Sequence, residues 1–128
     1  MAGEQILIVD DNPTNLKLVA YLMKANGYAV TTAADADAAL AEIRAKRPAL
    51  ILMDVQLPGI DGLELTRQLK ADPDTRGIII VAVTAYAMKG DVEKAVAAGC
   101  DDYVTKPIDT RALPGTIAKH LSRKESPS

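Results

Sequence analysis

Five polar residues stand at the ends of short apolar runs. Asp10 and Asp11 follow ILIV, Asp54 follows LILM, Thr84 follows IIIVAV, and Lys106 closes the weaker run DYVT. An apolar strand that ends on an acid poses a choice. Asp54 either opens a loop and faces water, or it is held for chemistry, because a buried carboxylate is costly unless paired or metal-bound. Three carboxylates brought together repel: two unit charges 4 Å apart cost about 4 kcal/mol at an effective dielectric near 20. A cation is therefore needed. Carboxylate oxygens suit Mg2+, which keeps several waters and often bridges to phosphate. Mg2+ and Lys106 together would balance the three acids, leaving a site able to accept further negative charge. Aspartate is also a covalent nucleophile toward phosphoryl groups. Phosphoryl transfer needs chiefly positioning and charge neutralisation, which a metal, a lysine and a hydroxyl can supply.

These residues meet only if the elements before them lie side by side. The apolar runs predict strands at Gln5–Val9, Tyr28–Thr32, Ala49–Met53, Ile78–Val83 and, most weakly, Asp102–Val104. Helical patterns separate them. Asn12 and Pro13 form a cap and a first-turn proline, followed by Leu16, Val19, Ala20 and Met23 at helical spacing up to Gly27. Further helices are expected over 35–46, 62–71, from Asp91 to Gly99, and over 109–121, the last with a kink or late start at Pro114 and Gly115. Strands alternating with helices argue for a parallel sheet covered on both faces. Right-handed crossovers narrow this to an α/β, doubly wound sandwich. In the order 2-1-3-4-5, ligands bind beyond the carboxyl ends of the strands, where the order reverses. Asp10, Asp11, Asp54, Thr84 and Lys106 all fall at that edge.

The whole chain is consistent with this. Its 128 residues fit one domain over 1–121, with polar Ser122–Ser128 read as a flexible tail or the start of a linker. A net charge of −2 gives no basic field for nucleic acid. No apolar run is long enough for a membrane span, and the N-terminus lacks a signal peptide's pattern. One cysteine, Cys100, excludes an internal disulfide framework and fits the cytoplasm; it reads as a small buried hydrophobe. His120 reads as a surface residue.

The stretches VDDNP, LILMDVQLPGIDG, VTAYAMKGD and GCDDYVTKPID, in this order, resemble the receiver domains of two-component response regulators over residues 5–121. The resemblance implies a five-stranded, doubly wound, flavodoxin-like fold of order 2-1-3-4-5, like that of the chemotaxis response regulator. It makes Asp54 the phosphoacceptor, with Asp10, Asp11, Asp54 and the backbone carbonyl of Gln56 holding Mg2+. Thr84 would contact the phosphoryl group and act as a switch with Tyr103, and Lys106 would pair with a phosphoryl oxygen. The Lys106–Pro107 bond is expected to be cis. Such a module is not a conventional enzyme, although it assists its own phosphorylation and dephosphorylation. The segment from VTAYAMKGD to KPID is typical of stand-alone cell-division and cell-fate regulators and of receivers at the ends of hybrid histidine kinases. A start at Met1 without an effector domain favours the first. A fragment of a hybrid kinase or multidomain regulator is the alternative.

The first helix also carries Leu18, Tyr21, Leu22 and Ala25 opposite its core stripe, where a solvated helix should be polar. The resemblance makes this face, with Asn15, Leu18, Leu22 and Pro107, the dock for a histidine kinase or histidine phosphotransfer protein. A downstream signalling protein would read the phosphorylated state. A monomer is expected, with dimerisation on phosphorylation left open. A haloacid dehalogenase-type phosphatase wants a second acid two residues after the nucleophile, where Gln56 stands. A flavodoxin-like cofactor module would place its phosphate beside Asp10 and Asp11, and neither a GxGxxG nor a GxxxxGK[ST] loop occurs.

Overall fold

The computed structural model describes residues 4–55, 61–84, 89–106 and 108–125. Five strands alternate with five helices: β1 (Gln5–Val9), α1 (Pro13–Ala25), β2 (Ala29–Ala33), α2 (Ala36–Ala45), β3 (Leu50–Asp54), α3 (Gly62–Ala71), β4 (Ile79–Thr84), α4 (Lys89–Ala98), β5 (Asp102–Thr105) and α5 (Leu113–Glu125). The strands form one parallel sheet in the order β2-β1-β3-β4-β5, as the sequence predicts.

The period-two alternation of a strand divides its side chains between two faces. Ile6 and Ile8 of β1, Leu50 and Leu52 of β3, and Val81 and Val83 of β4 pack with Val19 and Met23 of α1 and with Leu113, Ile117 and Leu121 of α5. Leu7, Val9, Ile51, Met53 and Ile80 pack on the other face with Ala39 and Ile43 of α2 and Leu65 and Leu69 of α3. Ala82 joins Ala95 and Ala98 of α4 on that same side. Both faces are dry, which is why ILIV and LILM are continuously apolar rather than alternating.

Side-chain caps start the helices where the sequence supplies them. The Asn12 carboxamide oxygen accepts from the Thr14 and Asn15 amides at 2.9 and 3.2 Å, with Pro13 in the first turn. Asp35 caps α2 through the Ala38 amide at 2.8 Å, and Asp61 caps α3 through the Glu64 amide at 2.8 Å.

Several boundaries differ from expectation. β3 and β4 each run one residue further, to Asp54 and Thr84, because the ladder continues past the apolar run: Asp54 registers with Val83, and Thr84 with Thr105. α5 starts late, at Leu113, because the Asp109 carboxylate first accepts the Arg111 and Ala112 amides at 2.9 and 3.2 Å and closes a turn there. It then runs through Ser122 to Glu125, into the stretch read as tail, since no breaker stands before Pro127. Ser126–Ser128 lie outside the described residues. His120 is not a surface residue. It is 8 % exposed, and its Nε2 lies 2.8 Å from Asp102 Oδ2. Beside Ile117 and Leu121 it belongs to the buried stripe of α5, facing the start of β5. No helix among the described residues is long and apolar enough to cross a membrane.

Candidate functional site

Parity and register gather the acids. Asp10 follows Ile6 and Ile8 in alternation, Asp54 follows Leu50 and Leu52, and Lys106 follows Val104. All three therefore belong to the face covered by α1 and α5. Val9 lies opposite Met53 in the ladder, so the next residues, Asp10 and Asp54, emerge side by side. Carboxylate oxygens of Asp10, Asp11 and Asp54 lie within 4.8 Å of one another. Asp54 is 2 % exposed and Asp10 4 %, while Asp11 faces solvent. The choice posed by LILMD is thus resolved: Asp54 is a buried strand residue, not the start of a solvated loop. Lys106 reaches across β4 to it, Nζ to Oδ2 at 3.1 Å, and its own amide donates to the Thr84 carbonyl at 2.8 Å.

Two buried acids and one exposed acid offer hard oxygen ligands on one side of a single lysine. The donor set suits a divalent hard cation with an open face toward solvent. The arrangement fits Mg2+ on chemistry alone.

The chain matches the family model described as the response regulator receiver domain over residues 6–118. It belongs to the receiver domain family. The polar-differentiation response regulator DivK of Brucella anthropi is 44% identical over 118 residues, covering 92% of this chain and 96% of that protein. The DivK of Brucella ovis is 43% identical over the same length. Among solved structures, the receiver domain of a Pseudomonas aeruginosa sensor histidine kinase, crystallised with a magnesium ion coordinated in its active site cleft, has a TM-score of 0.86 at 36% identity. It covers 94% of this chain and 99% of that one. A CheY-like receiver domain protein from Methanospirillum hungatei has a TM-score of 0.89 at 32% identity, covering 97% and 98%.

Thr84 ends β4, between the strands that carry Asp54 and Lys106. By parity it shares the α4 side of the sheet with Ala82, and Tyr103 of β5, in register with Ala82, belongs to that side as well. Tyr103 is partly exposed at the sheet edge. Gln56 and Pro107 lie outside the described residues. On α1, Leu18 is 46 % exposed and Tyr21 76 %. Leu22, expected beside them, is half-buried against the α1/α5 core instead, because it shares a flank with Val19 and Met23. Asn15 is half-buried, and its amide turns toward Asp10 rather than outward, Nδ2 to Oδ2 at 3.4 Å. Cys100 packs between α3 and α4 away from the crevice, where burial pushes its thiol pKa up.

One residue that positions the site was not singled out from the sequence. Gly62 opens α3 directly against the end of β3. Its amide donates to the Val55 carbonyl at 3.0 Å, and a Cβ on it would overlap the Asp54 carbonyl oxygen. Buried Thr66 fixes the same turn by donating to the Gly62 carbonyl at 2.8 Å. The signal was a glycine at a helix start, where it is a poor helix former and needs another reason to be there. Gly62→Ala should destabilise the fold by about 1–3 kcal/mol through overpacking, read as a lower urea midpoint. An unchanged midpoint would mean that α3 can retreat from Asp54.

Proposed function

We propose that this receiver domain accepts a phosphoryl group on Asp54 from a phosphohistidine and uses the change to alter partner binding. The observation that carries the reading is the buried Asp54 carboxylate, at the end of the central strand, with two acids on one side and Lys106 on the other. A carboxylate oxygen of Asp54 attacks phosphorus, an O–P bond forms, and the N–P bond to the donor imidazole breaks. The imidazole nitrogen leaves with the electron pair. Hydrolysis later returns the carboxylate and inorganic phosphate. Mg2+ held by the carboxylates of Asp10, Asp11 and Asp54 would offset negative charge on the acids and on the phosphoryl oxygens.

The chain's own residues do the rest. The ladder fixes Asp54 in direction, and burial strips water from it. Lys106 holds Asp54 before transfer and pairs with a phosphoryl oxygen afterwards, a charge-assisted contact of the stronger kind. The Thr84 hydroxyl donates to another oxygen from the end of β4. The phosphoryl group adds roughly −1.5 to −2 charges. Drawing Thr84 toward it changes the space on the α4 side of the sheet, where Tyr103 stands partly exposed. The switch is a population shift of that edge between two arrangements.

Leu18 and Tyr21 are exposed apolar residues on α1, next to the crevice, and such patches mark partner sites. They form the dock for a helical histidine-bearing kinase or phosphotransfer domain. Similarity to DivK supports a role in polar differentiation. The 36% identity to a sensor kinase's receiver supports a second setting, a receiver within a hybrid kinase.

Intact mass after incubation with a small phosphodonor should show one added phosphoryl group that requires Mg2+ and is lost in Asp54→Asn. A folded, Mg2+-binding protein that takes no label would overturn the reading. Leu18→Asp should slow transfer from a histidine donor protein at least tenfold while labelling by the small donor persists; equal loss with both donors would indicate misfolding instead. Tyr103→Ala should leave labelling intact and weaken the phosphorylation-dependent change in partner affinity, measured by titration of phosphorylated and unphosphorylated protein. Identical affinities for variant and wild type in both states would remove Tyr103 from the switch.

A further inference from the structure

We infer that Asn15 is a positioning residue for Asp10, and through it for the cation that the acids hold. The inference rests on the receiver reading above. Asp10 is buried, and each of its carboxylate oxygens meets a different donor from the start of α1: Oδ1 accepts the Asn12 amide at 2.9 Å, and Oδ2 accepts Asn15 Nδ2 at 3.4 Å. The two donors lie in one turn that is itself fixed, because the Asn12 side chain caps the helix through the Thr14 and Asn15 amides. A carboxylate gripped at both oxygens cannot rotate about its Cβ–Cγ bond. The backbone amide alone would leave that rotation open.

The chemistry of the donor matters as much as its place. The amide of Asn15 is neutral. It orients Asp10 without cancelling the charge that a divalent cation requires. A lysine or arginine here would compete with the cation for the acids, and an acid would add repulsion and offer no donor. Asn15 also shows why it should be separated from the dock on the same helix. Its amide points into the crevice, whereas Leu18 and Tyr21, further along α1, face solvent.

The test is the Mg2+ dissociation constant of the unphosphorylated full chain, measured by isothermal titration calorimetry. Wild type, Asn15→Leu and Asn15→Gln are compared after circular dichroism confirms that each is folded. Asn15→Ala replaces the leucine variant if the larger side chain disturbs packing. Partners that orient metal ligands typically change affinity by about 10–100-fold when removed. Asn15→Leu should therefore bind Mg2+ at least tenfold more weakly, and Asn15→Gln, which keeps an amide on a longer stem, should recover most of the loss. If Asn15→Leu binds as tightly as wild type, or if Asn15→Gln is as weak as Asn15→Leu, the positioning role is overturned while the receiver reading stands. If wild type itself binds no Mg2+, the proposed Mg2+-dependent phosphoacceptor function falls and the role of Asn15 falls with it.

Discussion

Three carboxylates with oxygens within 4.8 Å of one another resist being brought together, and the sheet is what brings them. Each like-charged pair costs about 4 kcal/mol at 4 Å and an effective dielectric near 20. Fully burying one leucine, isoleucine or methionine stabilises the fold by about 1.5–3 kcal/mol. Leu50, Ile51, Leu52 and Met53 are all buried immediately before Asp54, and Ile6 to Val9 are buried immediately before Asp10. Burial of two or three of these side chains offsets one repulsive pair. The apolar runs are thus the energetic support that lets acids accumulate at their ends.

Support in energy is not enough to set direction. Alternation along each strand decides that Asp10, Asp54 and Lys106 share one face, and the register sets Asp10 beside Asp54. Contacts from the starts of α1 and α3 then remove what freedom remains. The turn of Asn12 and Asn15 holds both oxygens of Asp10, and Gly62 lets the first turn of α3 lie against the Asp54 carbonyl. A side chain larger than hydrogen at that glycine would push the helix and the strand end apart. The lysine spans the remaining distance because its stem is long enough to cross β4.

Much of this was legible in the sequence, for reasons that follow from periodicity. Strands buried on both faces must be continuously apolar, so ILIV, LILM and IIIVAV announced themselves, and their alternation with helices narrowed the topology to a doubly wound sheet. The acids, Thr84 and Lys106 could be placed because a parallel sheet puts every strand's exit at the same edge. The less legible features depend on contacts between residues far apart in the chain. His120 looks like a surface residue until the face of α5 meets Asp102, and Gly62 looks like turn punctuation until β3 arrives beneath it. Leu22 illustrates a different limit. A helix stripe has ragged edges, and whether a flanking leucine faces core or solvent is decided by the neighbouring strand. The extension of α5 through Glu125 falls in the same class, since polar composition alone does not end a helix.

β5, the weakest strand signal in the sequence, is tied into the sheet by polar contacts. It is four residues long, lies at the sheet edge, and contributes Val104 to the α1/α5 core. Polar ties do what apolar burial does elsewhere. At its entry, Asp101 Oδ2 accepts the Ile80 amide at 2.8 Å and pairs with Lys70 of α3 at 3.0 Å, while Asp102 pairs with His120 of α5 at 2.8 Å. The strand is therefore anchored at its start to a helix on each face of the sheet. At its exit, Lys106 is bonded to the Thr84 carbonyl and to Asp54. A slip of one residue along β4 would turn Val104 out of the core and send Lys106 to the opposite face. The pairs at the entry hold the register against that slip, although they lie at the far edge of the sheet from the acids. The placement of Lys106 in the crevice thus depends on polar pairs that never enter it.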